Sequence, residues 1–407
     1  MATIMSKRGD VDNVVTYEHY CDTVADLDNI PYNESTLGSV AVVLVGESDG
    51  LEIYIANSNH EWIPLVSGGG GGDITVEELN ITENGAYTAP SGKAYSPVNV
   101  NIESLEDAII TRTISGTYSN SRITKVGPGA FEFCEILISV NLPNCLTLED
   151  SAFAGAYRLT TINCPKCQSI GYAAFESTNL IIADFPSCIS MSQYAFRYCS
   201  KLTSVNMPLC SSVGYEAFNN CVKLESINFQ ACTTIGAYAF QNCKLLTSVD
   251  FPNCTTIGTS AFQKCNSLNT ISFPMCTTIN SSAFTSCTNL TYAYFPNCIS
   301  IASYAFTDCS KLNAISFPNC TKISGYAFYR CYRLLSAYFL GSSVPTLVAS
   351  SAFYQTPING YSSYTGGVLG TIYVRASLLT SFQSATNWAY FSERMVGLTD
   401  EQIAALS

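Results

Sequence analysis

An Ala-Phe pair recurs along this chain at a nearly constant spacing. Successive pairs are 22 residues apart, except for one interval of 21 and a last interval of 25. The pairs end at Phe131, Phe153, Phe175, Phe196, Phe218, Phe240, Phe262, Phe284, Phe306, Phe328 and Phe353. A fixed period in the twenties is typical of a solenoid, in which each unit stacks on its neighbours. The chain is therefore predicted to grow in one dimension instead of folding around one globular core.

Each unit combines a strand pattern with a turn pattern. The segment 246–254, LTSVDFPNC, matches the leucine-rich pattern L-x-x-L-x-L-x-x-N/C, and its Val249 and Phe251 fall on one face of a short strand. Pro252 ends that strand because it has no N–H for the ladder. In Ala-Phe-x-x-Cys-x-x-Leu the apolar residues are three apart, which favours a short helical or 3₁₀ return. We predict one strand, a turn and a helical return per unit, with a core that forms only when the coils stack.

Charge is distributed unevenly along the chain. Residues 1–108 hold 18 acidic and 3 basic residues, whereas residues 123–340 hold 10 acidic and 12 basic residues. There is no basic stripe, so we expect no nucleic-acid partner. No apolar run approaches the roughly 20 residues of a membrane span, and the N-terminus has no apolar signal region, so we expect no membrane association and no general secretory export. Met5 is an alternative start to Met1.

Eighteen of the nineteen cysteines lie in the repeats, in two columns offset by 11 residues. One column follows Ala-Phe-x-x and the other follows Pro-x. The interpretation that we favour is that they are small, reduced core residues. Disulfides between adjacent coils are a second interpretation, although parallel Cβ vectors give poor disulfide geometry. A zinc site at Cys164 and Cys167 is the third, but the repeats contain no histidine and no second pair with this spacing.

The rest of the chain divides into smaller parts. The predicted parts are a small β-rich domain at 1–66, a Gly-rich linker at 67–73, a small β module at 74–108, the solenoid with an N-terminal cap (109–122) at 109–340, and a C-terminal cap with a tail helix at 341–407. In the first part, strands are predicted at 38–45, 51–56 and 61–65. In the last part we predict a strand at 371–374, an amphipathic helix, a covering Trp388 and a tail helix with Thr399 as its N-cap.

From about Ile123 to Met395 the chain resembles the BspA-like (treponemal-type) leucine-rich repeat family. The Ala-Phe-x-x-Cys-x-x-Leu motif and the terminal Ile372-Tyr373-Val374 to Trp388 segment carry this resemblance. It implies a leucine-rich repeat solenoid, preceded here by small all-β modules, and a role as an adhesin, since these proteins are mostly bacterial surface adhesins. The chain differs from them in that it shows no export signal.

The N-terminal region looks like the start of phage virion accessory proteins of the head-fibre or tail-fibre type. The segments 6–12, SKRGDVD, and 50–55, GLEIYI, carry this likeness, and 83–90, ENGAYTAP, is similar to linkers in phage structural proteins. The resemblance implies a virion protein, made in the host bacterial cytoplasm, whose residues 1–66 bind capsid or tail proteins and whose solenoid binds a host glycan or surface protein. Fibres at symmetric virion positions are usually closed homo-oligomers, and we expect a trimer.

The outward positions of the predicted strands offer a binding face. The residue between the two core positions points away from the core, and with its neighbouring column it gives the candidate ligand-binding residues Asn206, Asn228, Asp250, Ser272, Tyr292, Tyr294 and Tyr338. Tyrosines suit sugars and protein surfaces because they combine an apolar face with a polar tip. The alternative is a solvated face whose Asn and Ser side chains only hydrogen-bond along the stack. A second tyrosine column (Tyr194, Tyr238, Tyr304, Tyr326) is predicted to pack between coils.

Three classes of function fit the sequence. We favour a non-enzymatic phage fibre or decoration protein, and a bacterial surface adhesin exported by an unrecognised route is the alternative. An enzyme is the third class, but the two histidines, His19 and His60, accompany no Ser or Cys motif, and the repeats carry few acids. The sequence therefore predicts no catalytic residues, no metal and no cofactor.

Overall fold

The repeats form a parallel β-solenoid of about 13 turns with a 22-residue period. The computed structural model describes residues 116–121, 123–134 and 136–406, together with the backbone of seven strands before residue 116. The solenoid that the spacing of the Ala-Phe pairs predicts is confirmed.

The Leu-x-x-Val-x-Phe segments supply one face of the solenoid, which we call the front sheet. Its strands pair in parallel and in register, one strand per coil. They are Gly116–Ser119, Leu137–Asn141, Thr161–Asn163, Ile182–Asp184, Ser204–Asn206, Ser226–Asn228, Thr270–Ser272, Tyr292–Tyr294, Ala314–Ser316, Ser336–Phe339, Thr371–Arg375 and Met395–Leu398. The ladder has hydrogen-bonded sets of three, three and six strands. One of its two interruptions follows the 21-residue interval, and the other falls at the coil that contains Asp250.

A second parallel sheet, the back sheet, was not part of the sequence prediction. It consists of two-residue strands that follow each Pro-x-Cys corner, with the first residue partly or fully exposed and the second buried. They are Lys125–Val126, Thr147–Leu148, Ser169–Ile170, Ser190–Met191, Ser212–Val213, Thr234–Ile235, Thr256–Ile257, Thr278–Ile279, Ser300–Ile301, Lys322–Ile323 and Thr346–Leu347. Two residues are too few to show an alternating pattern, so the sequence gave no period-two signal.

The return from one strand to the next is a chain of turns, and the predicted short helical return is wrong in the repeats. Tyr238 and Asn242 have positive φ values of 57° and 62°. In this conformation the N–H groups of Tyr238, Phe240 and Asn242 bond to the next coil, at 2.8, 2.7 and 2.9 Å from the acceptor oxygens. The intervening amides bond within the coil, as in Gln241 N–H to the Tyr238 carbonyl. Alternate amides thus leave the coil to hold its neighbour, which a continuous helix cannot do.

The core consists of phenylalanine columns that run along the solenoid. Rings of successive Ala-Phe pairs stack with centroids 4.9 to 5.4 Å apart and planes within 13° of parallel. A second column, from Phe229 to Phe317, comes from the strand ends and stacks at 5.4 to 5.9 Å. Rings of the two columns meet at steep angles, as Phe240 and Phe251 do at 58°. Offset and edge contacts of this kind are the favoured aromatic geometries.

The prediction that the repeat cysteines are core residues is confirmed, because all eighteen are buried and carry free thiols. In the column after Ala-Phe, the thiol donates to a phenylalanine carbonyl of the preceding coil, as Cys243 does to Phe218 at 3.3 Å. In the column after Pro, it donates to the carbonyl two residues on, as Cys254 does to Thr256. Burial raises the pKa of Cys199 and Cys254 to about 12.

The C-terminal end of the solenoid is closed by aromatic residues, as predicted. The Trp388 ring lies 5.3 Å from Phe339 and 5.2 Å from Phe382, and its Nε1–H donates to the Pro345 carbonyl at 2.7 Å. The helical elements of this end are the α-helices Leu379–Ser384 and Asp400–Ala404 and the 3₁₀ helices Ser350–Phe353, Pro357–Asn359, Ser363–Thr365, Ala376–Leu378 and Ala389–Arg394. Thr399 caps the tail helix through a capping box with Gln402, which confirms the predicted N-cap.

Before residue 116 the structure gives strands only. Five of them form one sheet in chain order: Thr3–Val11, Val14–Cys21, Val40–Leu44, Leu51–Ala56 and Trp62–Val66. The last three confirm the predicted strands, and the first two were missed because their sequences mix charged and apolar residues without alternation. Asn80–Ile81 pairs antiparallel with Tyr87–Thr88, inside the predicted β module. The predicted linker at 67–73 and residues 109–115 of the predicted N-terminal cap lie outside the described residues.

The buried thiols predict slow chemical labelling of the folded chain. The reactive thiolate is scarce because burial raises the thiol pKa, and the reagent has no access. We expect peptide mapping after iodoacetamide treatment to find the repeat cysteines unmodified in native protein and modified in guanidinium chloride without reductant. Rapid native labelling at Cys243 would contradict the structure. Failure to label in denaturant until a reductant is added would show that disulfides form.

The stacked core also predicts a large effect of a single truncation. Phe240 is fully buried between Phe218 and Phe262, so Phe240→Ala should lower the free energy of unfolding by about 3–5 kcal/mol. Tyr157→Ala is the matched control, because Tyr157 is 49% exposed, and it should change stability by about 0.5 kcal/mol or less. Urea denaturation followed by circular dichroism measures both. Equal midpoints for the two variants would contradict this account of the core.

Candidate binding face

The front sheet brings the candidate residues into two straight columns. Between residues 270 and 373 the pairing is in register, so that Thr270, Tyr292, Ala314, Ser336 and Thr371 form one column. The second column is Ser272, Tyr294, Ser316, Tyr338 and Tyr373. Since the side-chain period of a strand is two, both columns point away from the core.

Asn206 and Asn228 belong to a hydrogen-bonded amide ladder at the other end of the sheet. Asn206 Nδ2 donates to Asp184 at 2.7 Å, and Asn228 Nδ2 donates to Asn206 at 2.8 Å. Nearer the start, Asn163 donates to Asn141, which donates to Ser119. These amides bond to one another along the stack, which is the arrangement that the alternative interpretation predicted for this part of the face.

Asp250 lies where the front ladder is interrupted, and so it is separated from the tyrosines. The coil around it forms no front strand, and its carboxylate accepts a hydrogen bond from Gln230 Nε2 at 3.0 Å. Ser272 is exposed on the next strand and is in register with Tyr294. Of the seven candidates, the structure therefore brings together Ser272 and the three tyrosines.

Two pairs of tyrosines dominate the C-terminal part of the front sheet. Tyr292 and Tyr294 lie on one strand with ring centroids 6.5 Å apart and planes 9° from parallel, and they are 39% and 38% exposed. Tyr338 stacks on Tyr373 of the next strand at 4.7 Å and 12°. Burial raises the pKa of Tyr292, and the phenols of Tyr294 and Tyr338 raise it further, which places the two pairs near each other.

Tyr373 is the residue that the sequence analysis missed. It follows the region where the 22-residue period fails, and segment 371–374 was assigned to the cap. The signal was the alternation Ile372-Tyr373-Val374, in which the middle residue occupies the same outward position as Tyr338. The cap strand therefore extends the binding face by one level.

The second tyrosine column packs between coils, as predicted. The rings of Tyr194 and Tyr238 each contact Tyr215 edge-on, at 5.3 and 5.7 Å, and Tyr304 stacks on Tyr326 at 5.3 Å. The Arg197 guanidinium lies 4.2 Å above the Tyr194 ring. This column lies on the turn side, preceding the Ala-Phe pairs, and is not part of the binding face.

The tyrosine-bearing part of the front sheet is uncharged. The strands from Thr270 to Phe339 contain no Asp, Glu, Lys or Arg. Arg375, at the end of the next strand, pairs with Asp400 and donates to the Leu340 carbonyl. In the part of the chain that the structure describes, no group of three or more His, Cys, Asp or Glu side chains could hold a metal ion. Among the same residues, no helix is both long and apolar enough to cross a membrane.

Solved structures with a similar fold come from bacteria. A leucine-rich repeat protein of Bacteroides ovatus is 16% identical with a TM-score of 0.43, and the match covers 88% of this chain and 98% of that one. One from Eubacterium ventriosum is 19% identical with a TM-score of 0.36, and covers 62% and 87%. A leucine rich cell surface protein of Faecalibacterium prausnitzii is 20% identical with a TM-score of 0.32, and covers 74% and 96%.

Among curated proteins no sequence matches the chain. The family model for the BspA type leucine rich repeat region matches residues 124–246 and 233–359, which together span more than half of the chain. That span contains the Ala-Phe pairs, both cysteine columns and most of the tyrosine-bearing strands. The chain therefore belongs to the BspA-type leucine-rich repeat family.

Proposed function

We propose that this protein is a non-enzymatic adhesin whose front sheet, between Thr270 and Tyr373, binds a glycan or protein on a host-cell or mucosal surface. The observation that carries the proposal is the pairing of Tyr292 with Tyr294 and of Tyr338 with Tyr373 on a sheet that otherwise presents small polar side chains. Tyrosine contributes a large contact area at a small cost in side-chain entropy, and its hydroxyl hydrogen-bonds at a wet surface.

The rigidity of the scaffold supports this proposal. The tyrosine-bearing strands pair in register, and each rests on a fully buried core residue, such as Phe295 beneath Tyr294. A ligand therefore meets side chains whose spacing is set before binding, which reduces the entropy lost on association. The face is also neutral, so binding there should depend little on salt.

We further propose that the adhesin is displayed on a phage particle, as a head-fibre, tail-fibre or decoration protein attached through residues 1–66. The support is the likeness of the N-terminal segments to virion accessory proteins and the concentration of acidic residues before the solenoid. A closed homo-oligomer, a trimer, would suit a symmetric virion position. The alternative function is a bacterial surface adhesin exported by an unrecognised route.

The adhesin proposal predicts that the paired tyrosines are needed for attachment. Tyr292→Ala combined with Tyr294→Ala should reduce binding of the purified chain to mucin-producing epithelial cells by about tenfold or more, since it removes two exposed aromatic contacts. Asn206→Ala with Asn228→Ala is the matched control, because it alters the same outward column at the amide ladder. Flow cytometry of cells with labelled protein measures binding. Equal binding by wild type and the tyrosine variant would refute the proposed face.

The virion proposal predicts a fixed copy number on particles. Quantitative mass spectrometry of purified phage from a strain that encodes this chain should find it in constant ratio to capsid or tail proteins, and deletion of residues 1–66 should remove it from the particles. Its absence from particles, together with its presence on cell envelopes, would replace the virion proposal with the bacterial adhesin.

A further inference from the structure

The front sheet contains a narrow gap between its two tyrosine-bearing levels. In register, Ser316 lies between Tyr294 and Tyr338, and Ala314 lies beside Tyr292 on the same intervening strand. Ala314 and Ser316 are half-buried. We call this gap the tyrosine cleft, with Tyr294 and Tyr338 as its walls and Ala314 and Ser316 as its floor.

The ladder fixes the width of the tyrosine cleft. Neighbouring parallel strands are about 4.8 Å apart, so the two strands that carry the walls are roughly 9.6 Å apart. Tyr338 and Tyr373 stack at 4.7 Å, close to one strand spacing, so their rings face along the solenoid axis. The free face of Tyr338 therefore points across the cleft, and Tyr373 supports it from behind.

The width selects the shape of the occupant. A flat ring in van der Waals contact with both walls needs about 7–8 Å between them, which is two carbon contacts of about 3.5–4.0 Å. The cleft is wider than this, so a flat aromatic side chain of a protein would fill it loosely. A puckered saturated ring is thicker, and its C–H groups would contact both tyrosine faces.

The chemistry around the cleft selects a neutral, hydroxylated ligand. The four strands of sequence TIS, YAY, AIS and SAYF carry no charge, so an acidic or basic ligand would find no opposite charge on them. Hydroxyl groups of Ser316, Ser336 and the tyrosines surround the floor. A ring that is apolar on its faces and polar at its edge matches this arrangement.

We propose that the tyrosine cleft is a monosaccharide subsite that takes one neutral hexopyranose ring of a surface glycan. This inference rests on the proposed function, because it specifies the ligand of the same face. Ser316 and Ala314 act as specificity residues, since their small size keeps the cleft open, and Tyr373 acts as a positioning residue that holds the ring of Tyr338.

The sequence offers a matched pair of variants for the test. Ser316→Tyr adds a tyrosine inside the cleft, and Ser272→Tyr adds one in the same column on the other side of Tyr294, outside the cleft. The probes are the methyl glycosides of galactose, mannose and N-acetylglucosamine, observed with the full chain by saturation-transfer difference NMR. We expect at least one probe to bind the wild type, Ser316→Tyr to weaken it about tenfold or more, and Ser272→Tyr to stay within about twofold.

A second pair of variants tests the wall. Tyr338→Phe keeps the ring face and should retain most of the binding, whereas Tyr338→Ala should lose it. Circular dichroism and the urea midpoint establish that each variant is folded. Failure of every probe to bind the wild type would overturn the proposal, and so would full binding by folded Ser316→Tyr or equal losses in Ser316→Tyr and Ser272→Tyr.

The same variants separate this proposal from the adhesin function. If the wild type attaches to cells, and Ser316→Tyr attaches equally well, the adhesin stands and the monosaccharide subsite is wrong. If the wild type binds a glycoside and Ser316→Tyr does not, while neither attaches to cells, the subsite stands and the proposed host-cell attachment is wrong.

Discussion

Adjacent coils of this solenoid are held at one distance by two sets of contacts. Parallel strands hydrogen-bond at about 4.8 Å, and the phenylalanine rings of successive coils stack at 4.9 to 5.4 Å. Because these distances nearly coincide, one residue per coil can form both an unbroken aromatic column and an unbroken backbone ladder. A coil of another length would move its Phe out of the column. This constraint explains why the Ala-Phe pairs keep a spacing of 22 residues from Phe196 to Phe328.

The cysteines are explained by the same constraint. In the column after Ala-Phe, the position must be small, since it lies in the core one turn after the phenylalanine. Ala156, Thr178 and Thr356 take this position in three coils, and all three are buried. Thr178 Oγ1 lies 3.3 Å from Cys199 Sγ. The column therefore requires small volume and tolerates residues other than thiols, and in most coils a cysteine supplies that volume together with a donor for a carbonyl of the preceding coil.

The solenoid also explains how such a chain builds a binding site. Each outward position of the front sheet belongs to a column whose members are one strand spacing apart, so a site is specified by the residue type at each level. Where the column repeats Asn, the amides satisfy one another along the stack. Where it alternates Tyr294, Ser316 and Tyr338, the amide ladder is replaced by a gap between aromatic rings. Changes of side chain at a few levels are enough to turn a solvated surface into a recessed one.

The sequence alone determined the solenoid, its period, the buried cysteines and the outward columns, because each of these follows from a residue pattern that repeats many times. The interval of 25 residues before Phe353 concealed the last levels of the front sheet, so Tyr373 was not recognised as the partner of Tyr338. The helical return was predicted from apolar spacing, but the positive φ at Tyr238 and Asn242 depends on amides bonding to the next coil. The two-residue back strands likewise exist only as parts of a ladder. Contacts between coils are invisible in the pattern of one repeat, and for this reason only the tertiary structure decided how the backbone returns, where the front ladder breaks at Asp250, and which tyrosines meet.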